Sequence, residues 1–137
     1  MNQVKVGVIV LAAGQGKRMK SALPKVLHQV AGRPMILHII ESILKTDPRA
    51  SIAVVVGHGR ELVEDTIRQA FAGRQADLHF VEQAEQKGTG HAARCAMEST
   101  WGQALVTQKV PVLVVPGDLP LISEDLVRQM TLALGRS

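Results

Sequence analysis

Apolar positions along this 137-residue chain follow two alternating periods. Residues 4–11, 51–56, 78–81 and 110–115 are short runs rich in Val and Ile, the pattern of strands buried on both faces. Helical spacings lie between them. Met35, Ile36, Ile39, Ile40, Ile43 and Leu44 share one face behind Pro34, a residue that a first helical turn accepts. Leu62, Val63, Ile67 and Phe71 make a second face, with Glu61, Glu64 and Asp65 in the turn where the helix dipole favours acids. Ala92, Ala93, Ala96 and Met97 make a third, and Leu126, Val127, Met130, Ala133 and Leu134 a fourth, with Ser123 placed to cap it. This alternation predicts an α/β fold, a mostly parallel sheet with helices on both faces. Right-handed crossovers leave few arrangements, and the strand order expected is 3-2-1-4. The first and fourth strands are then neighbours. The loops that follow them flank a switch point, where open α/β sheets bind ligands.

Composition narrows the class. With 46% hydrophobic and 20% charged residues, residues 1–137 read as one ordinary globular domain. No apolar run approaches the roughly 20 residues of a membrane span, and Met1-Asn2-Gln3-Val4-Lys5 lacks a signal-peptide layout. A cytoplasmic protein without a membrane partner is expected. Cys95 has no partner for a disulfide and reads, like Met35, Met97 and Met130, as core filling. His28, His38, His58, His79 and His91 show no metal-ligand spacing and are expected to pack or hydrogen-bond locally.

Charge is uneven. Residues 1–60 sum to +7 and residues 61–137 to −3, within a net +4. Lys17, Arg18, Lys20 and Lys25 form an acid-free cluster that attracts polyanions. With no Tyr, two Phe and one Trp, the chain lacks stacking platforms for nucleic acid. A small phosphorylated ligand fits the cluster better.

Three loops carry the chemistry. The first reads Leu11-Ala12-Ala13-Gly14-Gln15-Gly16-Lys17-Arg18-Met19 and runs on to Pro24-Lys25. Glycines and small residues after a buried strand let backbone N–H groups approach a phosphate. No Gly-Lys-Ser/Thr follows Gly14, and Met19 occupies the place of the third glycine of a dinucleotide fingerprint. Arg18 offers a fork for phosphate oxygens and Lys25 a point charge. The bland alternative is a solvated basic loop with turn glycines. The second loop runs from Gln83 through Gly88 and Thr89 to His91. The Gln83 amide has a donor and an acceptor side that match the edge of uracil, and Gly88 and Thr89 would let the backbone lie against a base. A polar turn opening the third helix explains the same residues. The third loop, Pro116-Gly117-Asp118-Leu119-Pro120, puts a carboxylate able to hold Mg²⁺ at the end of the fourth strand, or merely an Asp opening a Pro-rich turn.

Together the blocks are recognisable. Leu11-Ala-Ala-Gly-Gln-Gly-Lys-Arg18-Met, Pro24-Lys-Val-Leu-His28, Gly32-Arg-Pro-Met35, Gly57-His-Gly59, Gln83-Ala-Glu-Gln-Lys-Gly-Thr-Gly-His-Ala92 and Gly117-Asp-Leu-Pro-Leu-Ile122 stand in order. The chain resembles the amino-terminal part of the bacterial bifunctional N-acetylglucosamine-1-phosphate uridylyltransferase / glucosamine-1-phosphate acetyltransferases. The resemblance implies a Rossmann-like nucleotidyltransferase fold and the Mg²⁺-dependent reaction of UTP with N-acetylglucosamine 1-phosphate, giving the UDP-sugar for cell-wall precursors and pyrophosphate. It implies that Leu11, Ala12, Ala13 and Gly14 hold the nucleotide, with Gly117 beside them. It further implies that Arg18 stabilises the leaving pyrophosphate and Lys25 contacts phosphate. Gln83 with Gly88 and Thr89 reads uracil, and Asp118 binds Mg²⁺. Pro116 departs from the residue usual before Gly-Asp.

The larger departure is length. The family's transferase domain continues with most of the sugar pocket and a second metal ligand, and an acetyltransferase domain follows it; neither is expected within these 137 residues. Three readings follow: a uridylyltransferase, completed by a partner or a continuation; a remnant that binds UTP or a UDP-sugar without turnover; or a related transferase for another base. The second loop disfavours the last. A four-stranded sheet also leaves edges open to self-association.

Overall fold

The computed structural model describes residues 6–13, 24–57, 59–83 and 88–117. A central parallel sheet is built from β1 (Gly7–Leu11), β4 (Ser51–Val56), β5 (Asp77–Glu82) and β6 (Val112–Pro116) in the order β5-β4-β1-β6. In chain order these are the four expected strands arranged 3-2-1-4, with first and last side by side. Leu11 is in register with Val55 on one side and Pro116 on the other, so the carboxyl ends of all strands finish at one edge.

Alternation along each strand feeds two cores. Val8, Val10, Ala12, Ile52, Val54 and Val56 meet α1 (Met35–Thr46) and α2 (Arg60–Ala70) on one face. Ile9, Ala13, Ala53 and Val55 meet α3 (Thr89–Glu98) and α4 (Thr100–Thr107) on the other. Helix α1 buries Ile36, Ile39, Ile40 and Ile43 completely or nearly so, a wide aliphatic stripe. The α3 face instead presents Ala92 and Ala96, which let that helix lie close to the strands.

Several local expectations differ from what is observed. Leu62 is 48% exposed, because the buried stripe of α2 continues through Val63, Ile67 and Phe71 four residues apart and Leu62 falls off it. Cys95 is half-buried rather than core. Pro34 precedes α1 instead of occupying its first turn, with ψ of 138°. It belongs to a hairpin of β2 (Gln29–Val30) and β3 (Arg33–Pro34), whose two turn residues Ala31 and Gly32 have φ of 52° and 81°. Positive φ at both central positions is the two-residue turn that suits strand twist. His38 Nε2 donates to the Val30 carbonyl at 2.6 Å and ties the hairpin to α1. Helix α4 has no counterpart among the elements that the sequence pattern predicts. Ser99 separates it from α3 and accepts a hydrogen bond from the Gly102 N–H at 3.3 Å, an N-cap. The fourth expected helix and Ser123 lie outside the described residues, as does Met130. Among the described residues no helix is long and apolar enough to cross a membrane.

Candidate functional site

Sheet hydrogen bonding continues one residue past three of the strands. Gly117 N–H donates to the Leu11 carbonyl, Ala12 N–H to that of Val55, and Gln83 N–H to that of Val56, each at 2.8 Å. Leu11, Ala12, Ala13, Gly57, Gln83 and Gly117 therefore line up along the carboxyl edge of the sheet. Two glycines are there because neighbours press on them. A Cβ at Gly117 would stand 2.6 Å from the Leu11 carbonyl oxygen and 3.3 Å from Val26 Cγ1. One at Gly57 would stand 3.2 Å from Ala13 Cβ and 3.4 Å from the Gln83 carbonyl oxygen. With only small side chains at its centre, this edge presents backbone, which is what a phosphate-bearing ligand needs to approach.

Lys25 joins the edge through its neighbours. It is exposed on a 3₁₀ turn (Lys25–Leu27) whose Val26 and Leu27 are buried in the α1 core. Contact between Val26 and Gly117 sets that turn beside the end of β6. Arg60, also described at this rim, is engaged by acids: its Nε donates to Glu64 at 2.6 Å, and Nη1 lies 3.3 Å from Glu82. The hydrogen bond and charge of Glu64, seconded by Glu82, hold the Arg60 guanidinium above its ordinary pKa.

Gln83 is the most constrained polar side chain of the site. It is 4% exposed, and its Nε2 lies 3.3 Å from the Gly88 carbonyl oxygen and 2.8 Å from His91 Nδ1. A carbonyl only accepts, so the atom facing Gly88 must be the amide NH₂. Both of its protons are then directed inward, and the amide oxygen Oε1 has no partner among the described residues. Of the donor and acceptor sides that the sequence reading offers to a base, the donor is engaged by Gly88 and His91. Gly88, at φ 95°, turns the chain into α3, which Thr89 opens. His91 Nε2 lies 3.8 Å from Cys95 Sγ one helical turn on.

Leu11, Ala12, Ala13, Lys25, Gln83, Gly88 and Gly117 are thus brought to one edge. Gly14, Arg18 and Asp118 lie outside the described residues, although Asp118 directly follows Gly117 in the chain. Among the described residues no group of three or more His, Cys, Asp or Glu side chains could hold a metal ion. Sequence assigns no ligand role to two residues at the site: Gly57, which stands within the Gly57-His-Gly59 block, and His91. His38, His79 and His91 all hydrogen-bond locally, as expected.

Comparison with known proteins agrees with this architecture. The MobA-like NTP transferase domain matches residues 8–137. The chain is 50% identical over 129 residues to the Bifunctional protein GlmU of Stenotrophomonas maltophilia, covering 94% of this chain and 26% of that protein. The same protein of Cupriavidus metallidurans is 43% identical over 130 residues, 95% of this chain and 26% of the relative. The resemblance carried by the motif blocks therefore holds, and the chain spans about 26% of the length of these relatives. Among solved structures, 4-diphosphocytidyl-2C-methyl-D-erythritol synthase from Anaerococcus prevotii superposes with a TM-score of 0.71 at 17% identity. That match covers 98% of this chain and 52% of the other, and speaks for the fold alone. From its sheet order, its small-residue edge and the match over residues 8–137, the chain belongs to the family of MobA-like NTP transferase domains.

Proposed function

We propose that the chain is the nucleotide-binding portion of a cytoplasmic sugar-1-phosphate uridylyltransferase, which joins UTP to N-acetylglucosamine 1-phosphate and releases pyrophosphate for cell-wall precursor synthesis. The observation that carries this reading is the convergence of Leu11, Ala12, Ala13, Gln83, Gly88 and Gly117 at one edge of the sheet. A small-residue edge gives backbone N–H groups to phosphate, and a buried amide gives a base-reading group. Transfer at phosphorus requires positioning and charge stabilisation more than a protein nucleophile. Lys25 supplies charge from its buried-footed turn. Arg18 would stabilise the leaving pyrophosphate, Gly14 would extend the cradle, and Thr89 would join Gln83 and Gly88 at the base. Asp118 is the carboxylate that would hold Mg²⁺, whose chemistry when bound is to neutralise phosphate oxygens.

The curated relatives extend well beyond the span matched here, and this favours a second reading in which the chain binds UTP without turning it over. Two measurements on the full chain test both. UTP titrated in the presence of Mg²⁺ should give a binding isotherm by calorimetry. Pyrophosphate should appear only when Mg²⁺ and N-acetylglucosamine 1-phosphate are both supplied, and Arg18→Ala or Asp118→Ala should abolish it. Binding without release selects the second reading, and the absence of both overturns the nucleotide site.

A further inference from the structure

We propose that His91 is a positioning residue that sets base selectivity by fixing which end of the Gln83 amide faces the nucleotide. The inference rests on the nucleotide-site reading above and adds to it a residue and a direction of preference. The Gly88 carbonyl at 3.3 Å demands the NH₂ end of Gln83, and His91 Nδ1 at 2.8 Å accepts the second proton of the same group. Nδ1 therefore carries the lone pair and Nε2 the hydrogen, which points toward Cys95 Sγ. Rotating the amide by half a turn would set its oxygen against the Gly88 oxygen and would oblige His91 to shift its proton from Nε2 to Nδ1, giving up the contact of Nε2–H with Cys95 Sγ, in a nearly buried place. Gln83 consequently offers a ligand Oε1 alone. An acceptor in that place takes the ring N–H of uracil or thymine and repels the bare ring nitrogen of cytosine.

Without His91 the longer Gly88 contact alone would hold the amide, and the preference would relax. Calorimetry of the full chain with UTP and with CTP, each with Mg²⁺, tests this. The unaltered chain should bind UTP more tightly than CTP. His91→Leu should lower the ratio of the two affinities by about tenfold, the worth of one misdirected hydrogen bond. His91→Asn, whose Oδ1 stands where Nδ1 did and also accepts, should restore the ratio. A merely structural role would weaken both nucleotides alike and leave the ratio where it was. An unchanged ratio in His91→Leu, or no recovery in His91→Asn, overturns the proposal while leaving the nucleotide site standing. Failure of the unaltered chain to bind UTP overturns the two together. Should the leucine variant not fold, nitrogen NMR of the unaltered chain decides: the Nε2–H tautomer is expected for His91, and the Nδ1–H tautomer overturns it.

Discussion

The two ends of the parallel sheet solve the same problem in opposite ways. Strand ends leave backbone and side-chain polar groups that must be satisfied. At the amino end, large side chains do it. Ser51, the first residue of β4, donates to Asp77 Oδ2 at 2.7 Å and accepts from the Trp101 indole at 2.8 Å, while Asp77 Oδ1 takes the proton of His79 Nε2 at 2.7 Å. Trp101 is 8% exposed and closes that end like a plug. At the carboxyl end, among the described residues, glycines and alanines let neighbouring chain segments touch. One end is closed by large side chains, and the other, in the function proposed above, receives a ligand. The difference teaches that the site consists largely in what was kept small.

Filling the open end should have the greatest effect. Gly117→Val places a branched side chain where even a Cβ would stand 2.6 Å from the Leu11 carbonyl oxygen. The obstacle is backbone, so the β1–β6 junction must spread. We expect a loss of about 2–3 kcal/mol, read by thermal or denaturant unfolding, in line with overpacked sites. UTP affinity should fall at least about tenfold, because an error of one hydrogen bond at the phosphate cradle is enough. A variant of unchanged stability and affinity would break the contrast between the ends.

A cut at the closed end should separate stability from binding. Trp101→Phe removes the indole N–H that reaches Ser51 Oγ while keeping most of the ring packing. Ser51 retains its bond to Asp77, so the loss is one buried hydrogen bond and the contacts of the missing ring, about 2 kcal/mol together, or roughly 7 °C in Tm. Affinity for UTP should be unchanged by calorimetry. Weakened binding in this variant would show that the two ends are mechanically linked.

What could be read from sequence follows the same division. The four strands were legible because Val and Ile runs mark burial on both faces, and handedness left few orders, of which 3-2-1-4 was the one expected. The residues at the carboxyl edge were legible as loops after strands, which is why Leu11, Ala12, Ala13, Gln83 and Gly117 could be placed together before any coordinates. The β2–β3 hairpin escaped because two-residue strands carry no alternation. Helix α4 escaped because its start depends on Ser99 ending one helix and capping the next. Leu62 misled because the buried stripe of α2 is only one residue wide. The direction of the Gln83 amide could not be seen at all, since it depends on a carbonyl and an imidazole that meet it only after α3 has packed.

A third polar tie sharpens the comparison because it is wet where the Trp101 plug is dry. Arg74, just before β5, donates from Nη1 to Glu41 Oε1 of α1 at 2.9 Å. The hydrogen bond from Arg74 holds the Glu41 carboxyl below its ordinary value; burial opposes this, and the charges of Arg74, Arg33 and Lys45 assist. A carboxyl depressed in the folded state stabilises fully above its unfolded value near 4.5 and ceases to do so as pH falls through the lower folded value. Arg74→Gln should therefore unfold slightly below the unaltered chain at neutral pH, by no more than a few degrees given the exposure of the guanidinium. Added salt should narrow the gap, and so should acidification below pH 4.5. The Trp101→Phe deficit should respond less to both treatments, because the bond it loses joins two neutral groups, the indole N–H and the Ser51 hydroxyl. Equal sensitivity of the two deficits to salt and acid would mean that the amino end is not sealed as its geometry implies.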